Sequence, residues 1–381
     1  MSARTATRAP SDGLKVMTSL SSRRLGVLIH GAGWVAGQHA AAFSRNPQTK
    51  VVAVSSRRRS GADRLVAERH LDAATFDDFN VALAQPNVDI VCVCTPQHVH
   101  CENVLAAAAA GKHIVIEKPA AISLAELRRM REAVNQAGVK TIVSFVLRWN
   151  PLFQQIKRQL AAGAVGEVFC VETDYQSYNA DWWGGWEEGR RADTGVSAMI
   201  VAGCHAVDAL RWFAAAGEFE AARPVEVFAW AGGRRKGATR QFNPLKGSWH
   251  DGTPLEYDGL EIALVRFANG VLGKVSVNFE CIQPYAFPIR IFGNQGTIRD
   301  NQFYAPAQPG HAGWVELPGI RPDSSDVTHH PFQAQADHFV GCVRGVVESH
   351  CSLADAAITH ELVFAMLESY KTGQPVKLAN D

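Results

Sequence analysis

Apolar runs alternate with helical patterns through the first third of the chain. Segments 25–29, 51–55, 89–94, 113–117 and 141–145 are strand-like, while 34–43, 62–70, 100–110 and 123–137 repeat apolar residues at helical spacing. This rhythm predicts a parallel sheet covered by helices on both faces. One helix start is well marked. Ser123-Leu-Ala-Glu126 has capping-box spacing, and Gly138 suits the stop.

The pattern changes after residue 150. A helix at 152–162 leads through Gly163 and Gly166 into a strand at 168–175. An aromatic loop and a helix at 199–213 follow, and then longer strands at 224–231, 260–267, 271–281 and 287–293. Asn269-Gly270 is a hairpin signal. Two helical patterns, 331–346 and 354–370, close the chain, the second at Gly373, and 301–330 reads as loop. The expectation is a mainly antiparallel sheet with few helices, and an organisation of 1–24 as an arm, 25–147 as one domain and 148–381 as a second. The arm is rich in Arg, Ser and Thr. A disordered arm is preferred over a transit peptide, and over an export signal read from Arg23-Arg24.

Composition narrows this picture only modestly. The 381 residues are 47% hydrophobic and 20% charged, with a net charge of +1. That balance gives no electrostatic reason to expect nucleic acid or an acidic membrane as partner. No run of 18 apolar residues occurs, so no membrane helix is expected and a cytoplasmic location is preferred. The eight cysteines are scattered, without paired zinc-finger spacing, and read as buried free thiols.

The first strand opens into Gly31-Ala-Gly33-Trp-Val-Ala36, a dinucleotide fingerprint with Ala in its third place. The first Gly permits the turn, the second lets backbone approach phosphate, and the third small residue allows close helix packing. The pyrophosphate would then sit on amides of the helix beginning at Trp34 and Val35. An NAD-binding chain usually carries Asp or Glu after the second strand. Here that place reads Ser55-Ser56-Arg57-Arg58-Arg59, with no carboxylate and three guanidinium groups. Arginine matches a 2′-phosphate, so NADP is preferred over NAD, against the plainer reading of a solvated charged turn.

The fourth strand ends in Glu117-Lys118-Pro119, an aimed cation at a strand's carboxyl end. Together with Thr95-Pro96-Gln97-His98-Val99-His100, Arg148-Trp-Asn150-Pro151, Gly203-Cys-His205-Ala-Val-Asp208 and Gly293-Asn-Gln-Gly296-Thr297, it resembles the glucose–fructose oxidoreductase and inositol dehydrogenase family (Gfo/Idh/MocA). The resemblance runs in order across nearly the whole chain after the arm. It implies an α/β protein: an N-terminal Rossmann domain plus a C-terminal α/β domain with a large open sheet, and substrate between them. It implies Lys118 as the key catalytic residue and His205 as its acid/base partner. It also implies a nicotinamide pocket lined by Pro96, His98 and Glu117, with Thr95 and Arg148 beside the cofactor. The family often carries Asp or Asn four residues before the catalytic His, where this chain has Val201. Asp208 lies three residues later on the same helix face.

Hydride leaves a carbinol carbon only as the hydroxyl proton leaves, so the site needs a proton acceptor and a cation near the oxygen. Lys118 fills both needs where partial burial and an oxidised nicotinamide favour its neutral form, and His205 relays the proton. The plainer readings are a surface lysine and a core histidine on an apolar helix. His98 and His100 lack a third ligand nearby, so no metal is expected. Cys204 points away from its neighbour His205, and His329-His330 and His250-Asp251 read as surface loops, with contact to substrate from either loop left open.

Tyr175, Tyr178, Trp182, Trp183 and Trp186 crowd one segment. Tyr175 and Trp183 are candidate substrate platforms for a sugar ring, weighed equally against a hydrophobic anchor or subunit contact. The favoured reading is an NADP(H)- or NAD(H)-dependent oxidoreductase acting on a sugar, glycoside or cyclic polyol. A glycosidase using transient oxidation and a non-catalytic nicotinamide-binding regulator are the alternatives. The resemblance also implies a homodimer or homotetramer formed through the open face of the second sheet.

Overall fold

The computed structural model describes residues 23–244, 246–307, 313–319 and 330–379. The first domain is a six-stranded parallel sheet built from β1 (Leu25–His30), β2 (Thr49–Ser55), β3 (Ala74–Phe76), β4 (Ile90–Val93), β5 (His113–Ile116) and β6 (Thr141–Val143), in the order β3-β2-β1-β4-β5-β6. Helices α1 (Trp34–Arg45), α2 (Arg59–Glu68), α3 (Phe79–Leu83), α4 (His100–Ala109) and α5 (Leu124–Ala137) make the crossovers. β1, β4 and most of β5 are fully buried because helices cover both faces. The order reverses between β1 and β4, which opens a crevice at the carboxyl ends of those strands. Ser123 caps α5 by accepting from the Glu126 N–H, and Gly138 ends it in the left-handed conformation, as its sequence predicts. β3 and α3 are too short to show as periodic patterns and were not anticipated.

The second domain begins with α6 (Pro151–Ala161), whose first turn is capped by Asn150. Its sheet has nine strands: β7 (Val168–Gln176), β8 (Pro224–Gly232), β11 (Leu260–Phe267), β12 (Leu272–Asn278), β13 (Ile289–Gly293), β14 (Thr297–Arg299), β15 (Gln302–Tyr304), β16 (Val315–Glu316) and β17 (Val376–Lys377), in the order β16-β15-β14-β13-β7-β12-β11-β8-β17. A separate hairpin, β9 (Arg240–Asn243) and β10 (Ser248–Asp251), stands where the sequence reads as polar loop. The sheet is mixed, because β7 and β12 run parallel at its centre. On its inner face lie α8 (Cys204–Phe213) and α10 (Leu353–Thr372), which packs on β8 and α8; a short α7 (Trp186–Gly189) precedes them in the aromatic segment. β11 alternates buried and exposed residues, so the opposite face of the sheet is left uncovered by this chain. There Trp230, Ile262, Leu264 and Leu272 are 55, 38, 53 and 54% exposed.

The C-terminal helices also reach the first domain. α9 (Phe332–Val343) packs on α1, and α10 also touches α5 and β6. Asn46–Asp337, Arg131–Glu361 and Lys140–Glu348 contacts cross between the domains. Residues 1–22 of the expected arm lie outside the described residues. Arg23, counted within it, instead binds Asp89 through two hydrogen bonds of 2.9 and 2.7 Å. Among the described residues no helix is long and apolar enough to cross a membrane.

Candidate active site

The glycine turn sits at the switch between β1 and β4. Gly31 has φ +121°, and a side chain there would strike the Cys94 carbonyl. A Cβ on Gly33 would meet no atom within 4 Å, so the backbone above it faces open space. Gly33 provides no side-chain cap for α1, and Ala36 is fully buried against the sheet. The amides of Trp34 and Val35 therefore open α1 toward an uncovered space of the kind that receives a pyrophosphate. Next to it, Ser56 Oγ donates to the Arg58 carbonyl, shaping the turn after β2. Arg57, Arg58 and Arg59 are exposed, and among the described residues no ion pair to a carboxylate ties them down. Arg59, Thr75, Phe76, Asp77, Asp78 and Val81 line a cleft of about 610 Å³ beside this turn. These features fit a dinucleotide.

Lys118 is placed by backbone on both sides. The Lys118–Pro119 peptide is cis. His100, fully buried, faces the Pro119 carbonyl at 2.9 Å and the Thr95 carbonyl at 2.8 Å. His360 Nε2, from α10, accepts from the Ala120 N–H at 2.9 Å, and burial pushes this imidazole down to about 4, so it stays neutral to do so. Glu117 meets His39 Nε2 at 2.7 Å. Burial alone would raise the Glu117 carboxyl, but the His39 hydrogen bond and the charges of His39 and Lys118 hold it below the usual range.

The other wall comes from the second domain. Residues Met199–Gly203 form a π-helical turn leading into α8. Such a turn leaves carbonyls out of the regular ladder. Lys118 Nζ donates to the Val201 carbonyl at 3.0 Å. The position that lacks the expected carboxylate thus contacts Lys118 through its backbone, which no side-chain pattern discloses. His205 follows one turn later. It is buried, its Nδ1 has no hydrogen-bond partner, and its ring meets Phe145 at 5.9 Å and His330 at 6.2 Å. Burial, then the positive charges of Lys118 and His330, push its pKa well below the ordinary value. The neutral ring can accept a proton. His330 therefore stands beside His205, the alternative its sequence reading left open; His329 lies outside the described residues.

The aromatic segment closes the cleft from the side. Trp183 lies over Gly185 and Gly189, and a Cβ on Gly189 would touch both Trp183 and Val201. His98 Nδ1 lies 3.6 Å from Glu188, and the Gln97 side chain donates to the Thr194 carbonyl at 3.1 Å, so this segment rests on the Thr95–His98 turn. Tyr178 and Trp186 are buried anchors, with the Arg235 guanidinium 4.1 and 5.7 Å from their rings. Tyr175 departs from expectation. Its ring packs on Phe279, Tyr285 and Phe287, and among the described residues none of its ring contacts reaches Lys118 or His205. His250 is not a free surface residue, since it binds Asp181 at 2.8 Å. Arg148 is also a correction. Its guanidinium is buried against Asp208 and Asp355, with no surface left for a cofactor.

Residues 25–145 match the model of the oxidoreductase family with an NAD-binding Rossmann fold, and residues 153–299 match the Gfo/Idh/MocA C-terminal domain. The chain is 26% identical over 340 residues to scyllo-inositol 2-dehydrogenase (NAD(+)) of Bacillus subtilis, covering 87% of this chain and 90% of that one. It is 27% identical over 272 residues to levoglucosan dehydrogenase of Pseudarthrobacter phenanthrenivorans, 66% of this chain and 67% of that one. Among solved structures, levoglucosan dehydrogenase in complex with NADH and levoglucosan superposes with a TM-score of 0.80 at 20% identity, over 94% of this chain and 100% of that one.

A buried acid supports the π turn. Glu261, on the inner face of β11, accepts from the Met199 N–H at 3.0 Å, and burial raises its pKa to about 7 against the hydrogen bonds it receives. An acid whose pKa is raised on folding adds stability that is complete below its unfolded pKa and is lost as pH rises through the folded one. Glu261→Gln should therefore gain thermal stability relative to the parent between about pH 5 and pH 8. A constant difference in melting temperature across that range would show that Glu261 does not titrate there.

Proposed function

Because the chain belongs to the Gfo/Idh/MocA oxidoreductase family, whose NAD-binding Rossmann domain and C-terminal domain it carries in order, we propose that it is an NAD(P)-dependent dehydrogenase or reductase acting on a hydroxyl or carbonyl of a sugar, glycoside or cyclic polyol, with Lys118 and His205 as its catalytic residues. The observation that carries this reading is the pairing of a lysine held by the Val201 carbonyl with a neutral, buried imidazole whose Nδ1 has no partner. A bound nicotinamide supplies or accepts the hydride. Lys118 Nζ steadies the substrate oxygen, and His205 takes or returns the proton. Burial between the domains excludes water and strengthens both effects. Trp183, at the wall of the cleft, suits the C–H face of a ring. The names of the relatives support a cyclic polyol or anhydrosugar class.

For the cofactor we infer a preference for NADP(H). Three exposed guanidinium groups without carboxylate partners follow β2, and Arg59 among them lines the open cleft. For assembly we infer that two copies meet through the open face of the nine-stranded sheet, since four large apolar side chains there are more than a third exposed.

Three measurements follow. Lys118→Ala should lower kcat by about 10³-fold or more while the cofactor Kd stays within about threefold; near-normal turnover removes Lys118 from its role. Equilibrium titration should give tighter binding of NADPH than NADH, with Arg57→Ala and Arg58→Ala narrowing the gap, and a wild-type preference for NADH would reject the assignment. Light scattering on Leu264→Arg should show a smaller assembly than the parent, whereas an unchanged mass places the interface elsewhere.

A further inference from the structure

One buried cluster has no part in the proposed reaction. Cys92 and Cys94 are two residues apart on β4 and its end, so both side chains leave the sheet on the same side. Their sulfurs are 3.5 Å apart. A ring nitrogen of His39, from α1, joins them, and the three donor atoms all lie within 4.8 Å of one another. Among the described residues this is the only such group of metal-ligating side chains. His39 is 1% exposed, and its Nε2 is held by the Glu117 carboxylate. With Nε2 held by Glu117, ligation through Nδ1 would leave that carboxylate as the outer support of the ring.

We propose that His39, Cys92 and Cys94 form a binding site for one thiophilic metal ion of the zinc(II) class, beneath the Lys118 side of the cleft. An imidazole and two thiolates are ligands that this class prefers over oxygen-seeking ions. The two thiolates balance the charge of a divalent ion, and the neighbouring Glu117 carboxylate further favours a cation there. Each thiol gives up its proton as it ligates, so binding exchanges two protons for the ion, with no electron transferred. Cys94 and Glu117 are each 7% exposed, which marks the cleft side as the path in. An ion in this position draws on the His39–Glu117 pair and so touches the support of Lys118.

The test uses the full chain, reduced and free of cofactor, with cobalt(II) as the spectroscopic probe. Thiolate-to-cobalt charge-transfer absorption should appear, saturate at about one equivalent, and vanish on adding zinc. Cys92→Ser and Cys94→Ser should each weaken cobalt binding by at least about 10–100-fold while thermal melting and nucleotide binding confirm the fold. If a variant does not fold, X-ray absorption of the zinc-loaded parent decides, with two sulfurs at about 2.3 Å and nitrogen at about 2.0 Å expected. Absent or markedly substoichiometric absorption in the parent overturns the proposal. So does a band that persists in Cys92→Ser/Cys94→Ser, or a metal shell without sulfur.

Discussion

The Arg148 guanidinium ties the end of the first sheet to α8 and α10. It donates to Asp208 of α8 at 2.7 and 2.5 Å, forms an ion pair with Asp355 of α10 at 2.7 Å, and also reaches the His350 carbonyl. Arg211 of α8 binds the same Asp355 at 3.1 Å and Thr359 at 2.7 Å. Both arginine side chains are 1% exposed. Charges buried this completely are tolerable only when each is paired and hydrogen-bonded, and removing one partner of such a set costs about 3–5 kcal/mol. Asp208 stands one helical turn from His205, so the network that joins the domains also fixes the imidazole. Lys157 completes this at the far end of α8, donating to the carbonyls of Trp212, Ala215 and Glu220.

The cleft therefore combines two kinds of support. On the nucleotide side, backbone does most of the positioning. Gly31 permits the turn, and His100 and His360 grip the segment around Pro119 from opposite sides. On the other side a π turn places the Val201 carbonyl at Lys118 and His205 in the interior. Lys118 and His205 affect one another electrostatically: the lysine's charge helps keep the imidazole neutral. Burial adds to this effect, because it penalises a second positive charge beside the first.

The aromatic segment illustrates how far residue types alone carry. Five large rings in twelve positions could be a platform or an anchor. Tyr178 and Trp186 are anchors, held beneath Arg235, and Tyr175 belongs to a cluster under the sheet. Of the two nominated platforms, Trp183 is the one placed near Val201: a Cβ on Gly189 would meet both. Nothing in the spacing separates these outcomes, since Arg235, Phe279 and Phe287 come from distant parts of the chain.

The sequence by itself determined the local features. Apolar strands, the glycine turn, the Ser123 cap, the Gly138 and Gly373 stops and the Asn269-Gly270 hairpin depend on neighbours a few residues apart, so their signals are written contiguously. Lys118 was legible because a strand end aims it. Folding settled that Arg148 is an interior tie, that the Val201 carbonyl meets Lys118, and that His330 and His360 come beside His205 and Ala120. It also decided that His39 meets Cys92 and Cys94. Each of these contacts joins segments distant in the chain. Whether a polar group ends in a cleft or in the core is set by which partners arrive to desolvate and pair it, and that becomes defined only when the chain is folded.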